Sequence, residues 1–154
     1  MYKLSTEEQA ILDNANQILV KVMESTPSYA AKEVISDDNV AVKHFKCKIA
    51  CEEREHFMVL FLDNQHYLLS SEILFSGTIN EASVYPREIV KRALALNASA
   101  IIIGHNHPSG ILEASYSDRL MTEKIDTACR LIDVRLLDHI IVSPLGHLSF
   151  AEKL

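Results

Sequence analysis

The stretch SAIIIG, residues 99–104, constrains the fold more than any other part of this sequence. After the serine it has no polar side chain, and its three isoleucines are β-branched, which is typical of a strand buried on both faces. Helical and hairpin patterns lie on both sides of it in the chain. Together they predict a three-layer α/β/α architecture around a mixed sheet.

The other predicted elements follow from hydrophobic periodicity and capping signals. Ser5 and Glu8 match a capping box ahead of a helical pattern, and Ser36 with two following aspartates opens a second helix. That second helix directs three apolar side chains inward: Val42, Phe45 and Ile49. The predicted elements are helices over 6–24, from 36, over 86–97 and over 116–131, strands over 56–63, 67–77 and 99–104, and a closing hairpin of 134–143 and 147–152.

The length of 154 residues predicts one main domain. We expect residues 1–30 to form an N-terminal helical extension and residues 31–154 to form the domain itself. The longest apolar run is only strand-sized, and the first residues lack the basic and then apolar pattern of a secretory signal. A cytoplasmic location with no membrane partner is therefore the expectation.

The net charge of −6 argues against direct nucleic-acid binding, which usually requires a basic surplus. The one basic stretch, VKHFKCK at 42–48, is predicted to be the solvated face of a helix. Cys47, Cys51 and Cys129 show no disulfide spacing, and we expect Cys47 and Cys51 to be small packing residues in a reducing compartment. The sequence does not determine the oligomeric state, and it is compatible with a homo-oligomer.

The segment HNHPSGILEASYSD, residues 105–118, carries the candidate chemistry. His105 and His107 are two apart, so in extended backbone both imidazoles point to one side. Ser115 and Asp118 form a helix-capping pair, and the turn at Pro108 and beyond can bring that helix start back to the histidines. Two nitrogens and one carboxylate oxygen would leave one position of a tetrahedral zinc open, which is typical of a catalytic site.

This segment matches the JAMM signature of the JAB/MPN metalloprotease-like domains. The surrounding residues, from FLDNQHYLLSSEILFSG to VRLLDHIIVS, resemble the bacterial RadC family over roughly 35–154. The resemblance implies a cytidine-deaminase-like fold, one zinc ion held by His105, His107 and Asp118, and an upstream glutamate that activates water. Glu55, just before HFMVLFL, fits that glutamate best and Glu53 is the second choice, while a surface charge at a helix end is the alternative for Glu55.

The resemblance implies a zinc-dependent metallohydrolase that cleaves a peptide or isopeptide bond in a protein or peptide substrate. Glu55 would be the general base and Ser115 would stabilise the oxyanion. The alternatives are a DNA-repair accessory protein without demonstrated catalysis and a non-catalytic scaffold. Longer RadC-type chains carry a helix–hairpin–helix region, for which the residues ahead of 35 are too few.

Two further expectations concern residues around this segment. His139, inside the apolar LLDHIIV, is predicted to be a structural core histidine rather than a ligand. Asn106 and Ser109 lie in the loop itself and could touch substrate, although no spacing supports such a role.

Overall fold

A computed structural model of the chain describes residues 5–25, 33–77 and 84–151. Its helices are α1 (Thr6–Ser25), α2 (Asp38–Ile49), α3 (Pro86–Ala95) and α4 (Tyr116–Arg130). Its strands are β1 (His56–Leu62), β2 (Leu68–Ser76), β3 (Ala100–Asn106), β4 (Arg135–Ser143) and β5 (Gly146–Ser149). The predicted order of helices and strands is confirmed.

The five strands form one mixed sheet in the order β2-β1-β3-β4-β5. The β1/β2 and β4/β5 pairs are antiparallel hairpins, as predicted. The β3/β4 pair is parallel, and α4 is the crossover between those two strands. The apolar run that predicted a doubly buried strand is therefore at the centre of the sheet.

Helices cover both faces of this sheet. On one face, Phe45 and Ile49 of α2 pack with Met58 of β1. On the other face, Ile89 of α3 and Ile125 of α4 pack with alternate β1 residues such as Phe57. The division of neighbouring β1 residues between two hydrophobic clusters confirms the three-layer α/β/α arrangement. The predicted burial of Val42, Phe45 and Ile49 is also confirmed.

The chain divides into two compact units, Met1–Glu33 and Val34–Leu154. The first contains α1, whose start has the predicted capping box: Ser5 N donates to Glu8 Oε2 over 2.7 Å, and Glu8 N donates to Ser5 Oγ over 3.2 Å. Residues 26–32, where the predicted boundary between extension and domain falls, lie outside the described residues. In the part of the chain described here, no helix is long and apolar enough to cross a membrane.

Two element boundaries differ from the prediction. The strand predicted to end at Gly104 continues through His105 to Asn106, because β3 stays paired with β4 as far as Val142. The second helix is capped by Asp37 rather than Ser36, since the Asp37 side chain accepts a hydrogen bond from Val40 N.

Gly104 allows α2 to lie directly against β3 beside the candidate site. A β-carbon at this position would lie 2.7 Å from the Phe45 ring and 2.9 Å from the Ile140 carbonyl oxygen. The second of these atoms belongs to the backbone of β4 and cannot turn away. A larger residue would therefore separate α2 and β4 from the strand that carries His105.

The packing role predicted for two of the cysteines is wrong. Cys47 and Cys51 are exposed, because Cys47 lies on the outer face of α2 and Cys51 follows the end of that helix. Cys129, by contrast, is buried between α4 and the sheet.

Candidate metal centre

His105, His107 and Asp118 converge where β3 ends and α4 begins. The Nε2 atoms of the two histidines lie 2.9 Å apart. Asp118 Oδ1 lies 3.4 Å from His105 Nε2, and Asp118 Oδ2 lies 4.0 Å from His107 Nε2. Within residues 5–25, 33–77 and 84–151, no other group of three or more histidine, cysteine or acidic side chains is placed to hold a metal ion.

These three side chains fit a zinc ion in both chemistry and spacing. Zinc in proteins takes imidazole nitrogen and carboxylate oxygen at about 2.0–2.2 Å, so neighbouring ligand atoms of a tetrahedral site lie about 3.3 Å apart. The separation of the two Nε2 atoms, 2.9 Å, and that of His105 Nε2 from Asp118 Oδ1, 3.4 Å, fall on both sides of that value. Two nitrogens and one oxygen supply three of four tetrahedral positions. The cluster could therefore hold a metal ion with one position left for water or substrate.

The loop after β3 fixes the orientation of the His107 side chain. His107 N donates to Val142 O over 2.9 Å, and Gly110 N donates to His107 O over 3.0 Å in a turn where Gly110 has a φ of 79°. His107 Nδ1 lies 2.7 Å from the Ile111 carbonyl oxygen. A carbonyl can only accept, so Nδ1 carries a proton, and Nε2 is the ring nitrogen that faces the cluster.

Ser115 holds the Asp118 carboxylate through the predicted capping box, which is confirmed. Ser115 Oγ accepts from Asp118 N over 3.1 Å, and both the hydroxyl and the backbone N–H of Ser115 donate to Asp118 Oδ2, over 2.7 and 2.8 Å. The one hydroxyl hydrogen is thus used within the cap. A role for Ser115 in binding an oxyanion stays a prediction and would require this hydrogen to turn toward the substrate.

Asn106 ties the segment that carries Glu55 to the end of β3. Its Oδ1 accepts from His56 N over 2.7 Å, and its Nδ2 donates to the carbonyl oxygens of Arg54, over 2.8 Å, and Glu52, over 3.2 Å. Asn106 is completely buried and so cannot meet a substrate, which corrects the earlier expectation. Its side chain instead fixes the backbone on either side of Glu55.

Glu55 comes two residues before Phe57, a β1 residue on the side of the candidate centre. Phe57 of β1 is paired with His105, and both lie on the sheet face covered by α4. Strand alternation predicts that Glu55, two residues before Phe57, shares this face. Glu55 is half-buried and its carbonyl accepts from Gly77 N over 2.8 Å, whereas Glu53 is exposed.

Behind the ligands lies His139, which is completely buried in β4. Its Nε2 is 2.8 Å from His105 Nδ1, and its Nδ1 is 2.7 Å from Thr122 Oγ1. The ring stacks on Phe150, with 4.5 Å between centroids. His139 is a hydrogen-bonded core histidine, as predicted, but it contacts a candidate ligand, which the sequence did not indicate.

Burial is the largest influence on the pKa values of His105 and His139. It lowers the pKa of His105 to about 4; the Asp118 carboxylate opposes that shift, and His107 adds to it. Burial also lowers the pKa of His139 well below 6.5, and the His105 and His107 rings lower it further. Both rings are therefore neutral near pH 7, which is the state in which imidazole binds metal.

Sequence reasoning missed Asn106 and His139 as supporting residues of the site. A signal for both was present, because each is a polar residue in or beside an otherwise apolar strand, and a buried polar group requires a partner. The sequence did not show which partner each would find.

A three-layer α/β domain that places two strand-end histidines beside an aspartate of the following helix has the features of a JAB-type domain. The model of the RadC-like JAB domain matches residues 35–154. This chain belongs to that family, as its sequence motifs predicted.

Curated relatives support the same assignment. The chain is 51% identical over 145 residues to a UPF0758 protein of Haemophilus influenzae (strain 86-028NP), which is 94% of this chain and 63% of that protein. It is 50% identical over 135 residues to a UPF0758 protein of Haemophilus ducreyi, which is 84% of this chain and 60% of that protein. For a UPF0758 protein of Methylibium petroleiphilum the identity is 46% over 147 residues, 96% of this chain and 64% of that protein. The chain thus spans about three-fifths of the length of these relatives.

Proposed function

We propose that this domain is a zinc-dependent hydrolase of a peptide or isopeptide bond. The observation that carries the proposal is the pair of imidazole Nε2 atoms 2.9 Å apart beside the buried Asp118 carboxylate. Two unprotonated nitrogens at that distance repel each other unless a proton or a cation lies between them. A divalent cation would satisfy both nitrogens and the carboxylate at once.

Zinc, when bound, would supply a Lewis acid that polarises a carbonyl group and lowers the pKa of a water molecule toward ~7. The residues of this chain would do the rest. Glu55 would accept the proton of the attacking water and later return it to the leaving amine. Ser115 would donate its hydroxyl hydrogen to the developing oxyanion, in place of the Asp118 oxygen that it now contacts.

The surroundings of Glu55 support its choice as the base over its neighbours. Glu52 is exposed and its carboxylate lies 3.8 Å from His56 Nε2, directed at that ring. Glu53 is exposed on the same segment, while Glu55 is half-buried and comes two residues before Phe57, the residue paired with His105. A carboxylate with fewer water contacts and a fixed backbone is better suited to move a proton at one defined atom.

The net charge of −6 favours a protein or peptide substrate over direct nucleic-acid binding. A cytoplasmic location stays a prediction, and the oligomeric state stays open.

Metal analysis of the purified chain and its variants tests the proposal. Wild-type protein prepared without chelators and supplied with zinc is expected to hold about one zinc ion per chain. His107→Ala should hold none, since it removes one of three ligands. The matched control His147→Ala, at an exposed histidine of β5, should keep the ion. A wild-type chain that binds no zinc would contradict the metal function.

Hydrolysis of a panel of peptide- and isopeptide-linked fluorogenic substrates tests the roles of the carboxylates. Glu55→Gln should keep zinc and lose a factor of about 10²–10⁴ in rate, the usual contribution of a general base. Glu53→Gln is the matched control and should keep both zinc and activity. Full activity of Glu55→Gln on a cleaved substrate would show that the base lies elsewhere.

A further inference from the structure

We propose that an apolar patch beside the candidate metal centre binds a large apolar side chain of the peptide substrate, one or two residues from the cleaved bond. The patch consists of Ile111 and Leu112, in the loop after β3, and Leu145, in the turn between β4 and β5. This assignment rests on the proposed function and names the substrate class that the same site would take. It is carried by the packing of the loop on the turn, by the exposure of the patch and by its place at one end of the sheet.

The loop and the turn of the patch pack against each other through their glycines. A β-carbon at Gly110 would lie 3.4 Å from Leu145 Cδ1, and a β-carbon at Gly146 would lie 2.8 Å from Leu112 Cδ1. Each leucine therefore lies against the glycine of the other segment, where no side chain separates the two. The loop and the turn thus form one surface.

This surface is exposed although its side chains are apolar. Ile111 is 60% exposed and Leu145 is 86% exposed, while Leu112 is half-buried. Leu145 lies at the tip of a tight turn, where polar residues, proline or glycine are usual. The segments GIL, residues 110–112, and PLG, residues 144–146, contain no charged residue. The patch therefore favours an apolar side chain, because a charged one would lose hydration there without gaining a partner.

The patch lies at the end of the sheet that carries the candidate metal centre. The parallel strands β3 and β4 end side by side, and His107 N donates to Val142 O over 2.9 Å. Ile111 is linked to the centre directly, since its carbonyl oxygen lies 2.7 Å from His107 Nδ1. Ligands of open α/β sheets bind outside the carboxyl ends of the parallel strands. A substrate bound at this end of the sheet would therefore reach the patch.

The spacing of the strands gives the position of the apolar side chain in the substrate. Because β1 is antiparallel to β3, the Glu55 segment before β1 is at the same end of the sheet. Across that end the order is the Glu55 segment, the histidines of β3 and its loop, and then the patch beside β4. Neighbouring strands are about 4.8 Å apart, and an extended peptide advances about 3.3 Å per residue. A peptide whose scissile bond lies at the ligands thus reaches the patch one or two residues further along.

Cleavage of quenched fluorescent octapeptides by the zinc-loaded wild type tests the patch. The peptides share a glycine–serine background, with a single leucine or a single serine at each position in turn. With leucine one or two residues from the cleaved bond, kcat/KM is expected to be about tenfold or more higher than with serine. Leu145→Ser and Ile111→Ser should reduce this ratio to about threefold or less, with zinc content as in wild type. The matched control Leu131→Ser, at an 83% exposed leucine at the other end of α4 from Asp118, should keep the full ratio.

Peptide binding gives a second readout that does not require cleavage. Fluorescence polarisation of labelled peptides from the same panel measures it on Glu55→Gln supplied with zinc. The leucine peptides should bind about tenfold more tightly than the serine peptides, and Leu145→Ser in this background should remove the difference. Equal affinities for the two sets, or a preference unchanged by Leu145→Ser, would overturn the inference. If the wild type bound no zinc or cleaved no peptide, the proposed function would fail, and the binding comparison would still decide the role of the patch.

A second copy of this chain is the other occupant that an exposed apolar patch could hold. Sedimentation of wild type and Leu145→Ser over a range of concentrations distinguishes the two occupants. A wild type that dimerises while Leu145→Ser stays monomeric would assign the patch to self-association and overturn the proposal. A monomeric wild type, or a dimer unchanged by the substitution, would support substrate binding.

Discussion

Asn106 is the residue on which the geometry of the proposed base depends. Its amide uses its oxygen and both hydrogens on backbone groups of the segment before β1, at Glu52, Arg54 and His56. It sits between the two histidines in sequence, so one short strand end holds the ligands on one side and the Glu55 segment on the other. The segment of the proposed base and the candidate ligands are thereby joined through one side chain.

Asn106→Ala is expected to lower the free energy of unfolding by about 2–3 kcal/mol, because three hydrogen bonds are lost and buried backbone groups are left unpaired. It should also speed hydrogen exchange at the His56 amide, which loses its acceptor. Chemical denaturation and amide exchange measure the two effects. Ser109→Ala, at an exposed position of the same loop, should change stability by no more than about 0.5 kcal/mol.

An unchanged exchange rate at His56 in Asn106→Ala would contradict this role, even if the variant lost stability. Such a result would mean that Asn106 fills space in the core without fixing the segment that carries Glu55.

At the scale of elements, the start of α4 combines a helix cap with a candidate ligand. The Asp118 carboxylate completes the capping box through Oδ2, and its Oδ1 faces His105. The negative charge also lies at the helix end where the backbone dipole favours it. One set of hydrogen bonds therefore both begins the helix and orients the ligand.

Ser115→Ala is expected to cost about 1 kcal/mol of unfolding free energy from the lost cap and about tenfold in zinc affinity from the loosened carboxylate. Calorimetry measures the change in unfolding free energy, and competition with a chelator measures the change in zinc affinity. The matched control is Ser5→Ala, which removes the equivalent serine from the capping box of α1, outside the candidate centre. It should leave zinc affinity unchanged. Equal zinc affinities of Ser115→Ala and wild type would show that the cap does not orient Asp118.

For the whole molecule, the buried neutral histidines make stability depend on pH. His105 has a folded pKa of about 4 against an ordinary 6.5, so between these values the unfolded chain binds more protons than the folded one. The free energy of unfolding is therefore highest above about pH 6.5, and it falls as the pH falls toward 4. At pH 5 the loss from His105 is about 2 kcal/mol, and His139 acts in the same direction.

Denaturation of the zinc-free protein between pH 7 and 5 checks this expectation. His105→Asn should flatten the pH dependence, whereas His147→Asn, at an exposed ring, should leave it as in wild type. If the free energy of unfolding of the wild type were the same at both pH values, His105 and His139 would be able to bind protons without destabilising the folded state.

The sequence by itself determined the order of elements, both hairpins, the three-layer class and the segment that supplies the candidate ligands. These features are carried by local signals, because periodicity, capping pairs and a β-branched run are set by residues close together in the chain. The Ser115–Asp118 capping box is the clearest case, since its partners are three residues apart. The exposure of Cys47 was missed because cysteine is among the residue types most often buried, so its identity favoured a packing role.

Only the tertiary structure decided how the candidate site is supported. Asn106 meets its backbone partner His56 across 50 residues, and His139 meets His105 across 34 and Thr122 across 17. Such pairs leave no pattern in the sequence, because a hydrogen bond between distant residues depends on strand register and helix placement. The continuation of β3 through His105 has the same origin, since its pairing partner in β4 lies beyond a whole helix. The sequence identified the candidate ligands, and the fold determined which of their atoms face one another.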